Sequence, residues 1–244
     1  MVRITVLAVC LLFTSLAQGQ TRIAVASNFE PTAQVLADNF FDASGERLTL
    51  VEGGTEQLAQ QIRQDVGFAA FISGDKARVE QLLEGGMAVE GTDFVYATGR
   101  LVLLADNPEN EQGHGPEEML REESYLSLAI PHARESAYGE ATAKVLDEMI
   151  GSRYRVRREV QGNSSAQTFQ FLRSGSVDLG FVPLSLVIAH DIPEERYWLV
   201  PDDMHDPLEQ AAVLIDEDSE VARKFLEYMQ SDEARQIILD AGYE

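Results

Sequence analysis

Short apolar runs rich in β-branched residues alternate along this chain with stretches of helical periodicity, and the junctions between them carry glycine or small hydroxyl residues. The run "TRIAVAS" is followed by "NFEPTAQVLADNFFDAS", where Ala33, Leu36, Ala37 and Phe40 recur at helical spacing. "LTLVEGG" gives way to a helical stretch carrying Leu58 and Ile62. The alternation continues through "AAFISGD" and "KARVEQLLEGG", through "FVYATGRLVLLA", and from "SLAIP" into "YGEATAKVLDEMIG". Strands alternating with helices predict an α/β architecture with mostly parallel sheets.

A chain of 244 residues, 45% of them hydrophobic, buries one large core or two modest ones. The polar, acid-rich stretch "NPENEQGHGPEEMLREES" reads as a surface loop with a short helix. Further on, "PDDMHDPLEQAAVLI" reads as a loop and strand, and "SEVARKFLEYMQSDEARQIILDAG" as amphipathic helix. Strands over residues 101–104 and 211–215 let the chain leave one lobe and later return to it. The expectation is two lobes around a cleft. Lobe I takes residues 20–97 and 202–244 and lobe II residues 98–201, with hinges near Ala97, Thr98 and Gly99 and near Val200, Pro201 and Asp202.

The opening "MVRITVLAVCLLFTSLAQGQ" has one basic residue, Arg3, then an apolar run and a small-residue ending at Ala17, Gln18 and Gly19. This is the pattern of a secretory signal peptide over residues 1–19, and the run is too short for a membrane span. Cys10, the only cysteine, lies inside it with too few residues before it for a lipoprotein leader, so the mature chain has neither disulfide nor thiol chemistry. The whole chain carries a formal charge of −22; without Arg3, 18 basic residues face 41 acidic ones, a net −23. Nucleic acid and anionic membranes are poor partners for such a surface, because phosphate contacts need Lys and Arg.

Four strand-to-helix turns place small or hydroxyl-bearing residues before a helix: Ser27 and Asn28; Gly53, Gly54 and Thr55; Ala137, Tyr138 and Gly139; Asn163, Ser164 and Ser165. Such turns aim unpaired N–H groups and the positive end of the helix dipole at one point. Any one of them reads as ordinary N-capping. Four at strand ends, where open α/β sheets bind ligands, point to an anion held by dipoles.

Enzymatic readings are thin. His114, His132, His190 and His205 are scattered without zinc-helix spacing, and neither a nucleophile elbow nor a P-loop is present. Arg100 reads as a hinge ion pair rather than an anion clamp. Asp202, Asp203 and Asp206 lack a calcium-loop pattern and read as solvated charges.

With those turns in hand, the chain resembles the periplasmic molybdate-binding proteins of ABC transporters. The segments that carry the resemblance are "AVASNF", "GGTEQLAQQI", "FISGD", "YATGRLVLLA", "SAYGEATAKVL", "GNSSAQTFQFLRSGSVDLGFVPLS", "DDMHDPLEQAAVLI" and "FLEYMQSDEARQIILDAGY", in family order from Ile23 to Tyr243. The resemblance implies a two-lobed α/β type II periplasmic binding protein fold with a ligand cleft between the lobes. It implies capture of molybdate or tungstate by neutral hydroxyl and backbone N–H donors, with no resident cofactor and no metal held by protein side chains. It further implies a monomer in the periplasm that hands its ligand to an ABC permease and catalyses nothing.

Carried over residue by residue, Ser27 and Thr55 fall on hydroxyl donors, and Asn28, Tyr138 and Ser165 on backbone N–H donors, with the Asn28 amide as an additional candidate. A fully deprotonated dianion suits such a site, whereas phosphate brings a proton that needs an acceptor, and sulfate is rejected only by a pocket matched to longer bonds. Three positions depart from the pattern of many relatives. Ser165 replaces an aliphatic residue of "GENIAQ", Pro183 stands where some relatives present a tyrosine hydroxyl, and Ala69 lies in a strand that usually brings an aspartate. The alternatives are a binder of another oxyanion or small carboxylate on the same fold, a regulatory binding domain without a transporter, and a hydrolase or transferase using Ser27 as nucleophile. The last lacks a histidine placed by sequence to act as base.

Overall fold

The computed structural model describes residues 20–107, 113–133, 136–151 and 158–244. The expected signal peptide and Cys10 lie outside the described residues.

Two five-stranded sheets organise the chain. The first has the order β2-β1-β3-β10-β4, built from β1 (Thr21–Ala26), β2 (Leu48–Gly53), β3 (Ala70–Ser73), β4 (Phe94–Gly99) and β10 (Leu208–Leu214). The second has the order β7-β6-β8-β5-β9, built from β5 (Leu101–Ala105), β6 (Leu128–Pro131), β7 (Glu159–Gly162), β8 (Leu179–Pro183) and β9 (Tyr197–Leu199). Helices α1 (Glu30–Ser44), α2 (Thr55–Arg63) and α3 (Lys76–Glu84) follow β1, β2 and β3, and α4 (Pro116–Arg121) follows β5. Then α5 (Ala137–Met149), α6 (Ser165–Arg173) and α7 (Leu184–Ala189) follow β6, β7 and β8, and the one closing amphipathic helix expected from the sequence is instead two, α8 (Glu220–Tyr228) and α9 (Asp232–Asp240), divided where Ser231 caps α9.

The expectation of mostly parallel sheets needs correction. β1 runs parallel to β2 and β3, and β6 to β7 and β8. β10 is antiparallel to β3 and β4, and β5 to β8 and β9, so half of the pairings in each sheet are antiparallel. The reason is connectivity: β5 and β10 enter their sheets directly from the other one, without the helical crossover that brings a strand back in the same direction.

Each sheet is buried on both faces, which is why "AFIS", "LVLLA" and "LGFVP" are apolar throughout rather than alternating. Ile23, Val25 and Ile72 pack on one side of the first sheet with Phe29, Leu36, Phe225 and Ile238, while Ala24, Phe71 and Val213 pack on the other with Leu58 and Leu82. The second sheet repeats this, with Leu103 and Phe181 against Val145, and Val102 and Leu104 against Phe169 and Leu172. Local sequence supports the helices: Pro31 sits in the first turn of α1 and Gly45, at φ 75°, ends it, with its N–H on the Phe41 carbonyl. Asp75 and Ser164 cap α3 and α6 through their side chains.

Three elements escaped the sequence pattern. β7 and β9 are short edge strands of four and three residues, and α7 is a six-residue apolar helix with no polar face to give it a period. The apolar stretch ending "FVPLS" therefore looks like strand alone, whereas strand ends at Pro183 and the Leu184 N–H turns back to the Arg100 carbonyl at 2.9 Å.

The continuous run "FVYATGRLVLLA" is cut at Arg100, with β4 ending in one sheet at Gly99 and β5 starting in the other at Leu101. On the return, Val200 still bonds the Leu101 carbonyl, and the 3₁₀ turn Asp202–Met204 and Leu208 follow, Leu208 pairing with Gly99. Arg100 makes an ion pair with Glu244 at 3.4 Å, and Thr98 and Glu244 exchange two backbone hydrogen bonds. A Cβ on Gly99 would overlap the Tyr138 hydroxyl and lie 2.5 Å from Gln210 Nε2. Gly99→Ala is therefore expected to lower the unfolding free energy by about 1–3 kcal/mol through overpacking. Urea unfolding of the two proteins tests this, and an unchanged midpoint would mean that the crossing is looser than described.

Candidate functional site

The carboxyl ends of β1 and β2 face those of β6 and β7, and the four turns singled out in the sequence sit there. Open α/β sheets characteristically place ligand sites at such strand ends. Ser27 and Asn28 follow β1, Thr55 opens α2, Tyr138 is the second residue of α5, and Ser165 opens α6. All five are buried, between 2% and 6% exposed. The Ala166 N–H reaches across from α6 to Ser27 Oγ at 3.2 Å. A Cβ on Gly54 would lie 2.5 Å from the Asn163 carbonyl oxygen, so the second and fourth turns are also in contact. The third is tied to the first through Gln210, whose Nε2 donates to the Tyr138 hydroxyl at 3.0 Å and whose Oε1 accepts from Asn28 Nδ2 at 2.8 Å.

The turns retain donors. Gly54 has no side chain to cap α2, and its first intrahelical bond runs from Leu58 N–H, which leaves the N–H groups of the first turn open. In α6, Ser164 Oγ takes only the Gln167 N–H. The hydroxyls of Thr55 and Ser165 make no hydrogen bond among the described residues, although both side chains are buried. Neither oxygen is itself fully enclosed, so both hydroxyls face accessible space at the strand ends, open to a ligand or to water. None of the turn residues is basic, so the arrangement offers partial positive charge from O–H and N–H dipoles and no full cation.

Asn28 contributes less than its chemistry allows. Both hydrogens of its amide are used internally, on Gln210 Oε1 and at 3.3 Å on the Tyr243 hydroxyl, and its carbonyl accepts from Ser185 Oγ and Tyr243 Oη. What remains for the cleft is its backbone N–H. Burial pushes the Tyr96, Tyr138 and Tyr243 phenols well above their ordinary range, so all three stay neutral at any physiological pH.

Of the other candidates, His132 follows β6 beside the third turn, its backbone N–H on the Gly162 carbonyl and its backbone against Gly139, and the rest lie elsewhere. His114 contacts Glu118, and the Nδ1 atoms of His190 and His205 meet backbone carbonyls. Ser27 Oγ thus has a backbone amide as its neighbour rather than an imidazole. Asp206 pairs with Lys144, and no cluster of three metal-ligating side chains occurs among the described residues.

Residues 21–244 match the family described as bacterial extracellular solute-binding protein. The chain belongs to that family. A molybdate-binding protein ModA of Rhodobacter capsulatus is 31% identical over 229 residues, 93% of this chain and 89% of that protein. The solved structure of the Azotobacter vinelandii periplasmic molybdate-binding protein matches with a TM-score of 0.81 at 30% identity, covering 92% of this chain and 99% of that one. The sulfate-binding protein SubI from Mycobacterium tuberculosis shares the fold, with a TM-score of 0.69 at 13% identity, covering 92% of this chain and 85% of that one. The family is one of binding proteins, and the α/β fold with two sheets and a cleft is the family's.

Sequence reasoning missed Gln210, Tyr96, Tyr243 and Ser185, which surround Asn28 from behind. A lone glutamine in the apolar run "LEQAAVLI" was the available signal, because a buried amide on a strand must find partners. Gly74 was missed too; a Cβ there would lie 2.5 Å from Asn28 Oδ1 and 3.2 Å from Thr55 Oγ1. At Gly54 the backbone, φ −66° and ψ 142°, suits any residue, so the constraint is contact with Asn163 and not strain. Gly54→Ala is thus expected to leave the protein folded while holding the two turns apart. Small-angle scattering should show a larger radius of gyration than for the parent under ligand, with unchanged circular dichroism; equal radii would refute it.

Proposed function

We propose that the protein captures a dehydrated tetrahedral oxyanion, molybdate or tungstate, between two lobes in the periplasm and delivers it as a monomer to the membrane permease of an ABC transporter. The observation that carries this reading is the meeting, from both sheets, of uncharged turns that keep donors without protein partners, among them the Thr55 and Ser165 hydroxyls, with Ala166 N–H on Ser27 joining the two sides. The similarity to molybdate-binding proteins supports the choice of ligand. In this reading Ser27 and Thr55 donate O–H, and Asn28, Tyr138 and Ser165 donate backbone N–H. Lobe I comprises the first sheet, and lobe II the second, with the chain crossing at Gly99 and Arg100 and again after Val200. The expected signal peptide over residues 1–19 would take the chain across the inner membrane.

Neutral donors suit the task physically. A dianion out of water needs each oxygen met by a donor, and hydrogen bonds to a charged group are worth about 1.5–3 kcal/mol each. A lysine or arginine would add attraction while making release to the permease harder.

Calorimetric titration of the protein with molybdate should give one site, with tungstate similar and sulfate far weaker. Thr55→Val removes one O–H donor at nearly constant volume and should cost roughly ten- to a hundredfold in affinity. No heat with either metal oxyanion, from folded protein, would reject the assignment.

The net charge of −22 gives a second expectation. A dianion approaching this surface is repelled at long range, and salt screens that repulsion, so the association rate constant should rise with ionic strength instead of falling. Stopped-flow measurement at two salt concentrations decides it; a falling rate would require a local positive field at the cleft mouth.

A second reading, capture of a different oxyanion, is favoured by one feature. Ser165 is buried at the α6 terminus, and its hydroxyl, without a protein partner, can accept as well as donate a hydrogen bond. Competition by hydrogen arsenate or hydrogen phosphate against molybdate would reveal it.

A further inference from the structure

Gln210 is the centre of a buried polar group that touches both halves of the cleft. It lies on β10, is 0% exposed, and sits at a shift of register between Gln210 and Ala211 against β4. A bulge of this kind re-aims a side chain. The residue left over by the shift is Tyr96 of β4, whose hydroxyl reaches Gln210, while Leu208 and Gln210 point inward by ordinary strand alternation, with Glu209 between them exposed and paired with Lys76.

The amide has a fixed direction. Its oxygen accepts from Asn28 Nδ2 at 2.8 Å and from the Tyr96 hydroxyl at 2.9 Å, and its nitrogen donates to the Tyr138 hydroxyl at 3.0 Å. Turned over, it would set its own NH₂ group against the Asn28 NH₂ and lose that bond, whereas the two phenol hydroxyls can donate or accept and would tolerate either orientation, so Asn28 is what fixes the direction. The Asn28 amide is oriented by this contact in turn, and its residue supplies the backbone N–H of the first turn. Tyr138 heads α5, whose N-terminus forms the third turn.

Resting on the oxyanion reading above, we propose that Gln210 is a positioning residue for ligand binding, whose amide holds the first-sheet turn at Asn28 and the second-sheet helix start at Tyr138 at the spacing one tetrahedral anion bridges. Gln210 does not touch the ligand. It acts through Asn28 on one side and Tyr138 on the other, and Gly99 provides the room for the contact, since a Cβ there would collide with both partners.

The residue type follows. A glutamate would bring a negative charge behind an anion site, and a lysine could not accept from Asn28. An apolar side chain would take from the Tyr138 hydroxyl its one partner among the described residues, and leave the Asn28 amide only Tyr243 and the Tyr96 hydroxyl only the Ser73 carbonyl. Only a side chain that both donates and accepts while staying uncharged meets all three neighbours. The titratable groups facing it are Tyr96 from β4, Tyr138 from α5 and Tyr243 after α9.

The test uses molybdate titration of the parent protein, Gln210→Met and Gln210→Glu at pH 6 and pH 9, with thermal unfolding of each as a control for folding. Gln210→Met should bind about ten- to a hundredfold more weakly while still unfolding cooperatively, because the released partners no longer fix the two turns. Gln210→Glu separates positioning from mere packing. A carboxyl buried there titrates high, so at pH 6 it is neutral, donates to Tyr138, accepts from Asn28, and should recover most of the affinity. At pH 9 it is charged and should bind more weakly than the methionine variant, while the parent changes little. Parent binding together with a methionine variant within about threefold, or a glutamate variant equally weak at both pH values, overturns the role of Gln210 alone. A parent that binds neither molybdate nor tungstate overturns the proposed function, and this inference with it.

Discussion

The crossing at Gly99 and Arg100 is the constraint on which the remaining architecture depends. Two sheets can share a cleft only if the chain passes between them at a point where they nearly touch, and there the backbone of β4 runs under the Tyr138 hydroxyl and the Gln210 amide with no space for a Cβ. That closeness lets β10, returning in the opposite direction beside β4, put one side chain in reach of both halves. It also allows the mixed sheets, because a strand that enters from a neighbouring sheet is not held to the parallel direction that a helical crossover within one sheet imposes.

Electrostatics is divided between surface and site. The outer surface is strongly acidic, and its ion pairs, such as Lys76 with Glu209 and Lys224 with Glu46, join exposed groups that add little stability. The donors at the turns are themselves uncharged, although carboxylates flank them: Glu30 follows the first turn, Glu52, its pKa raised by burial and by Glu30, precedes the second, and Glu56 beside Thr55 is paired with Arg78. Behind Asn28 the polar residues are amides, hydroxyls and phenols, and burial keeps those phenols protonated. A site of dipoles keeps the same character across the pH range in which the surface carboxylates stay ionised, so its selectivity depends on geometry and on the protonation state of the ligand.

The strands and helices that build the two cores were legible because two-sided burial writes itself as unbroken apolar runs and amphipathic helices as a 3.6-residue period. The four turns were legible for a related reason: glycine and hydroxyl residues at a strand-to-helix junction have few other uses than capping or ligand contact. Strand direction was hidden, since "LVLLA" reads the same in either direction. The short edge strands β7 and β9 and the helix α7 were hidden as well, because three to six residues do not establish a period. The position of Asn28 in the turn after β1 was legible, whereas the internal use of its amide was not, as its partners Gln210 and Tyr243 lie 182 and 215 residues away in sequence.

The balance between folding and closure follows from where apolar contact is placed. The clusters led by Ile23 and Phe225 and by Leu58 and Phe71 belong to the first sheet, those led by Leu103 and Phe181 and by Val102 and Phe169 to the second. Contacts at the turns are polar and few, such as Ala166 to Ser27, and a neutral hydrogen bond nets only about 0.5–1.5 kcal/mol. Behind the turns the halves are pinned more firmly, by Ser185 on the Asn28 carbonyl, by Glu244 with Arg100, and by α7 lying close against Gly242. In the proposed reading, opening at the front would sacrifice a few weak bonds and leave each core intact, and a ligand that makes several charge-assisted bonds at once would supply the free energy to close it again.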